Sequence, residues 1–144
     1  MKVEFRRRPG AREIRVLVEA DSCTAEVEAL LKRLQAPGQI VAYDERGEVL
    51  LEMDEIIRIY TQQRRILVDS DRGSYSLRTR LYEMEEKLDA AGFVRISNSE
   101  IVNRRRILRL DFSLTGTIRL SLKGGVETYV SRRYVKRIRS MFES

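Results

Sequence analysis

Three polar breaks in the chain collect side chains that bind anions and read nucleobase edges. They are TQQRRI at Thr61–Ile66, SNSEIVNRRRI at Ser97–Ile107 and VSRRYVKR at Val130–Arg137. Between them they carry Arg64, Arg65, Asn98, Arg104, Arg105, Arg132, Arg133 and Lys136, with Gln62, Gln63 and Asn103 interleaved. A guanidinium fork matches phosphate oxygens or guanine O6/N7 bidentately, and Asn or Gln matches adenine N6/N7. Arginine outnumbers lysine in all three breaks, which favours planar recognition over point-charge attraction. Each break adjoins an apolar run that reads as a strand. Each is therefore a loop or strand edge, where a rigid scaffold holds functional side chains.

The third break has an energetic oddity. Arg132 and Arg133 open a helix-like stretch, and cations at a helix start cost a few tenths to about 1 kcal/mol. Ser131 is suited to cap that helix, leaving its start aimed outward and ready for an anion. A guanine edge docked there offsets the cost, because a bidentate Arg–guanine pair is worth ~1–3 kcal/mol of discrimination.

The charge balance agrees. The chain of 144 residues has a net charge of +6. Residues 101–144 carry a net +8 and residues 1–100 a net −2. A basic third of this kind suits a polyanionic partner. An anionic membrane surface would call for a basic amphipathic helix with Trp or Phe on its apolar face, and the chain has no Trp. Single-stranded nucleic acid would call for aromatic residues on one sheet face. Tyr60, Tyr75 and Tyr129 are candidates, and their placement fits packing equally well.

Catalysis is poorly served. The absence of histidine removes the Ser-His-Asp triad and His-based metal sites. One cysteine, Cys23, excludes an internal disulfide or a CxxC knuckle and is expected to be a buried or half-buried filler. Glu83, Glu85 and Glu86 read as a solvated helix face. No GxxxxGK[ST], GxGxxG or EF-hand spacing occurs. The sequence thus predicts no enzyme, no metal and no cofactor. It has no signal-peptide run and no membrane-spanning run, so the expected location is cytoplasmic.

The elements that must position the basic breaks are mostly short strands. Alternation at Val3/Phe5 and at Ile14/Val16/Val18 predicts two strands around the Pro9-Gly10 turn. Val27, Leu30, Leu31 and Leu34 form one helical stripe, which Pro37-Gly38 ends. A hairpin is expected around Asp44–Gly47. Strands follow at Ile57/Ile59, Ile66/Val68 and Tyr75/Leu77. A second helix uses Leu81, Met84, Leu88 and Ala91. After a strand at Val94/Ile96 comes a β-meander with turns at Thr115-Gly116 and at Gly124-Gly125, the second a two-residue hairpin candidate. The last helix buries Tyr134, Ile138 and Met141 or Phe142. The class is α+β, mostly β. A small ββα unit is expected over residues 1–45 and a strand-rich body over 46–144.

Phe93–Asn103 (FVRISNSEIVN), the preceding SLRTRLYEMEEKL helix and the terminal VSRRYV at Val130–Val135 resemble the LytTR DNA-binding domain of bacterial transcription regulators. The resemblance covers roughly Val49 to Phe142. It implies an elongated, mostly antiparallel β fold that binds duplex DNA through loops in successive major grooves, often as dimers on repeated half-sites. By motif it puts base-reading and positioning roles on Arg64, Asn98 and Arg133. The short N-terminal part is similar to stand-alone members, some of which are restrained by a small membrane protein. Ser97-Asn98-Ser99-Glu100 departs from the family's second loop, and Glu100 facing DNA would repel phosphate or accept from cytosine N4.

The expected function is sequence-specific regulation of transcription by a cytoplasmic homodimer. Arg64 and Arg133 read bases and Asn98 positions the middle of the site. Arg65, Arg104, Arg105, Arg132 and Lys136 contact phosphates. No small-molecule substrate is expected. The competing readings are a basic β-rich module that docks an acidic protein, and an RNA binder using exposed tyrosines.

Overall fold

A computed structural model describes residues 1–35, 38–112 and 116–142. Residues 1–24 form neither strand nor helix, so the two strands expected there are absent. Alternation supplied each with an apolar face, but a strand also needs a neighbour for its backbone groups, and none is present. Val3, Phe5, Ile14 and Val16 are all exposed. Cys23 is exposed too, rather than a buried filler. The expected helix does form. It is α1, Ala25–Gln35, and Thr24 caps it by accepting the Val27 N–H on its hydroxyl at 3.3 Å. Its stripe is only partly covered, with Leu31 37% and Leu34 50% exposed. Pro37 and Thr115, expected at turns, lie outside the described residues.

The main sheet begins with β1 (Gln39–Asp44) and β2 (Gly47–Glu52). Asp44 Oδ1 builds their turn by accepting the N–H groups of Arg46 at 2.8 Å and Gly47 at 3.1 Å. β3 (Ile56–Gln62), β4 (Arg65–Ser70), β5 (Gly73–Leu77), β6 (Phe93–Ser97) and β7 (Glu100–Asn103) complete it. The order is β2-β1-β5-β4-β3-β7-β6, with every pair antiparallel. The expected division at residue 45 therefore falls in a hairpin whose first strand also pairs with β5 at Tyr43 and Ser76. Helix α2 (Leu81–Asp89) covers one face, burying Leu81, Met84 and Leu88.

A second sheet, β10-β9-β8, is formed by β8 (Ile107–Phe112), β9 (Ile118–Leu122) and β10 (Val126–Val130). It packs with α3 (Arg132–Phe142) against the other end of the main sheet. There are thus two cores, and β3 and β7 feed both. Ile59 and Ile101 join the α2 side, while Ile57 and Val102 join the α3 side. Burial on both faces explains why these strands read EIIRIY and EIVN, without polar alternation.

The Gly124-Gly125 turn has three linking residues, not two, because Leu122 pairs with Val126. Gly124 has φ +103°, and a Cβ there would meet Ile57 Cδ1 at 3.0 Å. The turn thus needs glycine for its conformation and for the close approach of the second sheet to β3.

Candidate nucleic-acid interface

The three breaks reach one edge because of strand register. β3 and β4 are joined by Gln63-Arg64, since Gln62 pairs with Arg65. Both linking residues have positive φ, 51° and 64°. A two-residue turn of this hand requires that conformation, for which Asn-Gly is the usual solution. β6 and β7 are joined by Asn98-Ser99. β7 pairs with β3 so that Tyr60 faces Glu100, which sets the two tips at the same end of the sheet. The Thr61 N–H then donates to the Ser99 carbonyl at 2.9 Å, tying tip to tip.

The start of α3 joins them from the second sheet. The Ser131 N–H donates to the Ile96 carbonyl, and the Tyr134 N–H donates to the Ser131 carbonyl, each at 2.9 Å. Ser131 thus acts through its backbone rather than through the expected hydroxyl cap. The Tyr134 hydroxyl donates to Asn98 Oδ1 at 3.3 Å, and the Arg133 guanidinium lies 5.9 Å from the Tyr134 ring centre. Arg64, Asn98 and Arg133 therefore lie in sequence along one edge, with Asn98 in the middle. Arg65, Arg132 and Lys136 are exposed beside them.

Arg104 and Arg105 are placed differently. They follow β7 at the end away from Asn98, where the Arg104 N–H donates to the Gly92 carbonyl. Four residues of strand put them roughly 13 Å back from the tips. Arg104 donates to the Met141 carbonyl at 2.9 Å and stacks 4.9 Å from the Phe142 ring, holding the last turn of α3. Arg105 makes a 3.3 Å surface contact with Asp54. Their short helical turn is fixed by buried Asn103, which accepts from the Arg105 N–H and donates to the Ile56 carbonyl at 2.9 Å.

Glu100 neither faces DNA nor is free to accept from a base. It is 9% exposed, and it accepts from the Thr128 hydroxyl at 2.8 Å and from Arg58 Nη1 at 3.3 Å. Burial pushes its carboxyl above the ordinary carboxylate range, against the pull of Thr128 and Arg58. Arg58 also binds Asp69 at 2.8 Å, and Asp69 holds the Tyr60 and Ser74 hydroxyls. This network joins β3, β4, β7 and β10 directly beneath the tips.

Two positioning groups and one stretch of surface escaped the sequence reading. Arg95 donates to the carbonyls of Ser97 at 2.6 Å and Asn98 at 2.7 Å, clamping the middle turn. Its strand position at Val94–Ile96 offered no signal that it points back along the chain. Glu100 is the second, hidden by its place among polar loop residues. The missed surface is Arg78, Thr79 and Arg80, which line one shallow groove with Arg64 and Arg65. The pairing of Ile66 with Leu77 brings them there. Arg78 stacks 3.9 Å from the Tyr43 ring centre. A count of charge at the β5–α2 junction finds the two arginines, but only the register of β4 and β5 puts them beside Arg64.

Carboxylate pairing is concentrated on the arginines of the sheets, while the cations of the tips go without it, as do Arg46, Lys87 and Lys123 elsewhere among the described residues. Arg58, Arg72, Arg95, Arg106, Arg109 and Arg119 are each matched to a carboxylate. Among the described residues, Arg64, Arg65, Arg78, Arg80, Arg132, Arg133 and Lys136 have none within ion-pair distance. The tyrosines do not make a stacking platform. Tyr60 faces Leu67 and Tyr75 faces Val68, so they lie on opposite sheet faces, and Tyr129 is in the other sheet.

The pattern described as the LytTr DNA-binding domain matches residues 47–143. The chain belongs to the LytTR DNA-binding domain family. Relatives from Staphylococcus aureus strains NCTC 8325 / PS 47 and COL are described as HTH-type transcriptional regulators. Each is 34% identical over 100 residues, covering 69% of this chain and 67% of the relative. A solved LytTr DNA-binding domain from Bacillus cereus superposes with a TM-score of 0.71 at 19% identity, covering 76% of this chain and 100% of that one. The fold is thus that of a LytTr domain. Among the described residues of this LytTR chain no two α-helices follow one another, so its edge is made of strand turns and one helix start rather than a helix-turn-helix. No helix among its described residues is long and apolar enough to cross a membrane.

Proposed function

We propose that the protein is a sequence-specific duplex-DNA-binding transcription regulator that reads bases with Arg64 and Arg133. The observation that carries this is the hydrogen-bonded alignment of three tips whose cations lack carboxylate partners. The β3–β4 and β6–β7 tips stand two strand spacings apart, roughly 10 Å. Arg64 and Arg133 flank Asn98, so they read base edges on its two sides while Asn98 contacts the backbone or base edge between them. Arg65, Arg78, Arg80, Arg132 and Lys136 contact phosphates. Five such contacts make log K fall with log salt at a slope of about −4.5.

Selection of bound fragments from random duplex DNA, repeated with Arg133→Ala, tests the reading. The variant should relax preference at one base position at a cost of ~1–3 kcal/mol. An unchanged site preference sinks the role of Arg133. The absence of any enriched duplex for the intact chain sinks the whole reading and favours a protein-docking module. The related proteins' description as transcriptional regulators supports the regulatory half of the proposal. We assign residues 1–45 to homodimer contacts or to a regulatory partner such as a small membrane protein, because Val3, Phe5, Ile14, Val16, Leu17 and Leu34 are exposed. With no catalytic set of its own, the protein then acts by occupancy of DNA in the cytoplasm.

A further inference from the structure

β8 ends the smaller sheet. β9 holds one side of it, and among the described residues no strand pairs with the other. The register to β9 shifts between Ile107 and Arg109, so Leu108 is a bulge, 70% exposed. Beyond it Leu110 lies at the margin of the second core and Phe112 on the same face is 52% exposed. The opposite face carries Arg109 and Asp111, whose Nε and Oδ1 are 2.8 Å apart, and Asp111 also binds Arg119 at 3.0 Å. An apolar strand edge without proline or lysine is a template for another strand.

The sequence Leu108-Arg109-Leu110-Asp111-Phe112 is self-complementary about its centre. In an antiparallel pair related by a two-fold axis through Leu110, Leu110 faces its own copy. Arg109 of each chain faces Asp111 of the other, and Phe112 meets the bulge at Leu108. Other registers fail. A slip of one sets arginine or aspartate against an apolar side chain, and a slip of two sets Arg109 against Arg109 or Asp111 against Asp111. Opposite charges across an antiparallel pair stabilise and like charges destabilise, so the pattern specifies both partner and register. We propose that the outer edge of β8 pairs with β8 of a second copy of this chain, forming an isologous six-stranded sheet. Its exposed apolar side chains then extend the second core across the axis.

Sedimentation equilibrium of the full chain without DNA tests this independently of the DNA reading. The intact chain should form a dimer at micromolar concentration. Arg109→Asp puts like charges opposite each other and should weaken association by at least about tenfold. Asp111→Arg should do the same, and an equimolar mixture of the two variants should regain the dimer, since each then faces its opposite charge. Leu108→Lys, at an exposed position that leaves the fold intact, should also give a monomer. A monomeric intact chain, a dimer that survives Arg109→Asp and Leu108→Lys, or a mixture of well-folded charge variants that stays monomeric overturns the proposal.

Discussion

Gln63 and Arg64 hold backbone strain at the tip where we propose a base-reading side chain. Each is an L residue with a side chain held at positive φ, which costs on the order of 1–2 kcal/mol against the relaxed conformation. Glycine relieves it. Gln63→Gly should therefore raise stability by about 1 kcal/mol in urea unfolding while leaving the selected DNA site unchanged. Arg64→Gly should stabilise to a similar degree and erase preference at one base position. A loss of stability in both variants would show that the turn is not strained. Arg95 gives the complementary case, a residue that fixes the site without reaching DNA. Removing its two charge-assisted bonds to Ser97 and Asn98 should cost ~1–3 kcal/mol of stability. Arg95→Ala should weaken binding to the selected duplex much more than binding to random duplex, measured by competition.

At the scale of elements, ion pairs with one buried partner join segments that sequence distance keeps apart. Arg106, 9% exposed, donates from Nη1 to Asp71 Oδ1 at 2.8 Å and from Nη2 to Asp71 Oδ2, and it also reaches the Asp54 carbonyl. It thereby fixes the passage from β7 to β8 against the β4–β5 turn. The Arg106 hydrogen bond holds the Asp71 carboxyl below its ordinary 3.8. A depressed carboxylate stabilises the fold above its unfolded pKa, and that contribution is lost as pH falls through the folded value. Thermal melts should show Asp71→Asn below the intact chain at pH 7, with the gap narrowing as pH falls below 3.8. A deficit that stays constant with pH would remove the ion pair from the account. Glu100 runs the other way, because burial raises its pKa. Its contribution is full below 4.5 and declines as pH rises through the raised value. The chain keeps this cost because Thr128 and Arg58 use the carboxylate to set the second sheet against the tips.

At the scale of the molecule, the basic residues divide into an edge and a far end. Arg80 belongs to the groove beside Arg64, whereas Arg105 stands back by the length of β7. Arg80→Ala should weaken every duplex about equally and flatten the salt slope by about one unit. Arg105→Ala should leave both affinity and slope within error in the same titration. The reverse ranking would move the DNA path from the tips to the β7–β8 junction.

Much of this protein was legible from its residues one segment at a time. Period-two alternation and polar punctuation found the strands of both sheets except β7, whose EIVN lay inside a stretch read as a polar break, and the helical stripes found α1, α2 and α3, because these signals act between neighbours in sequence. Local charge marked the three breaks for the same reason, and the resemblance to the LytTR domain singled out Arg64, Asn98 and Arg133 within them. The N-terminal strands failed because alternation cannot supply a pairing partner. Glu100 and Asn103 looked like surface polar residues, and only the packing of β7 between two cores buried them. The edge itself is a product of tertiary structure. Register placed Ser99 against Thr61, Ser131 against Ile96 and Arg80 beside Arg64, and it sent Arg104 to the end of α3. Residue types carried the chemistry, but long-range hydrogen bonds and two-sided burial decided which of them stand together.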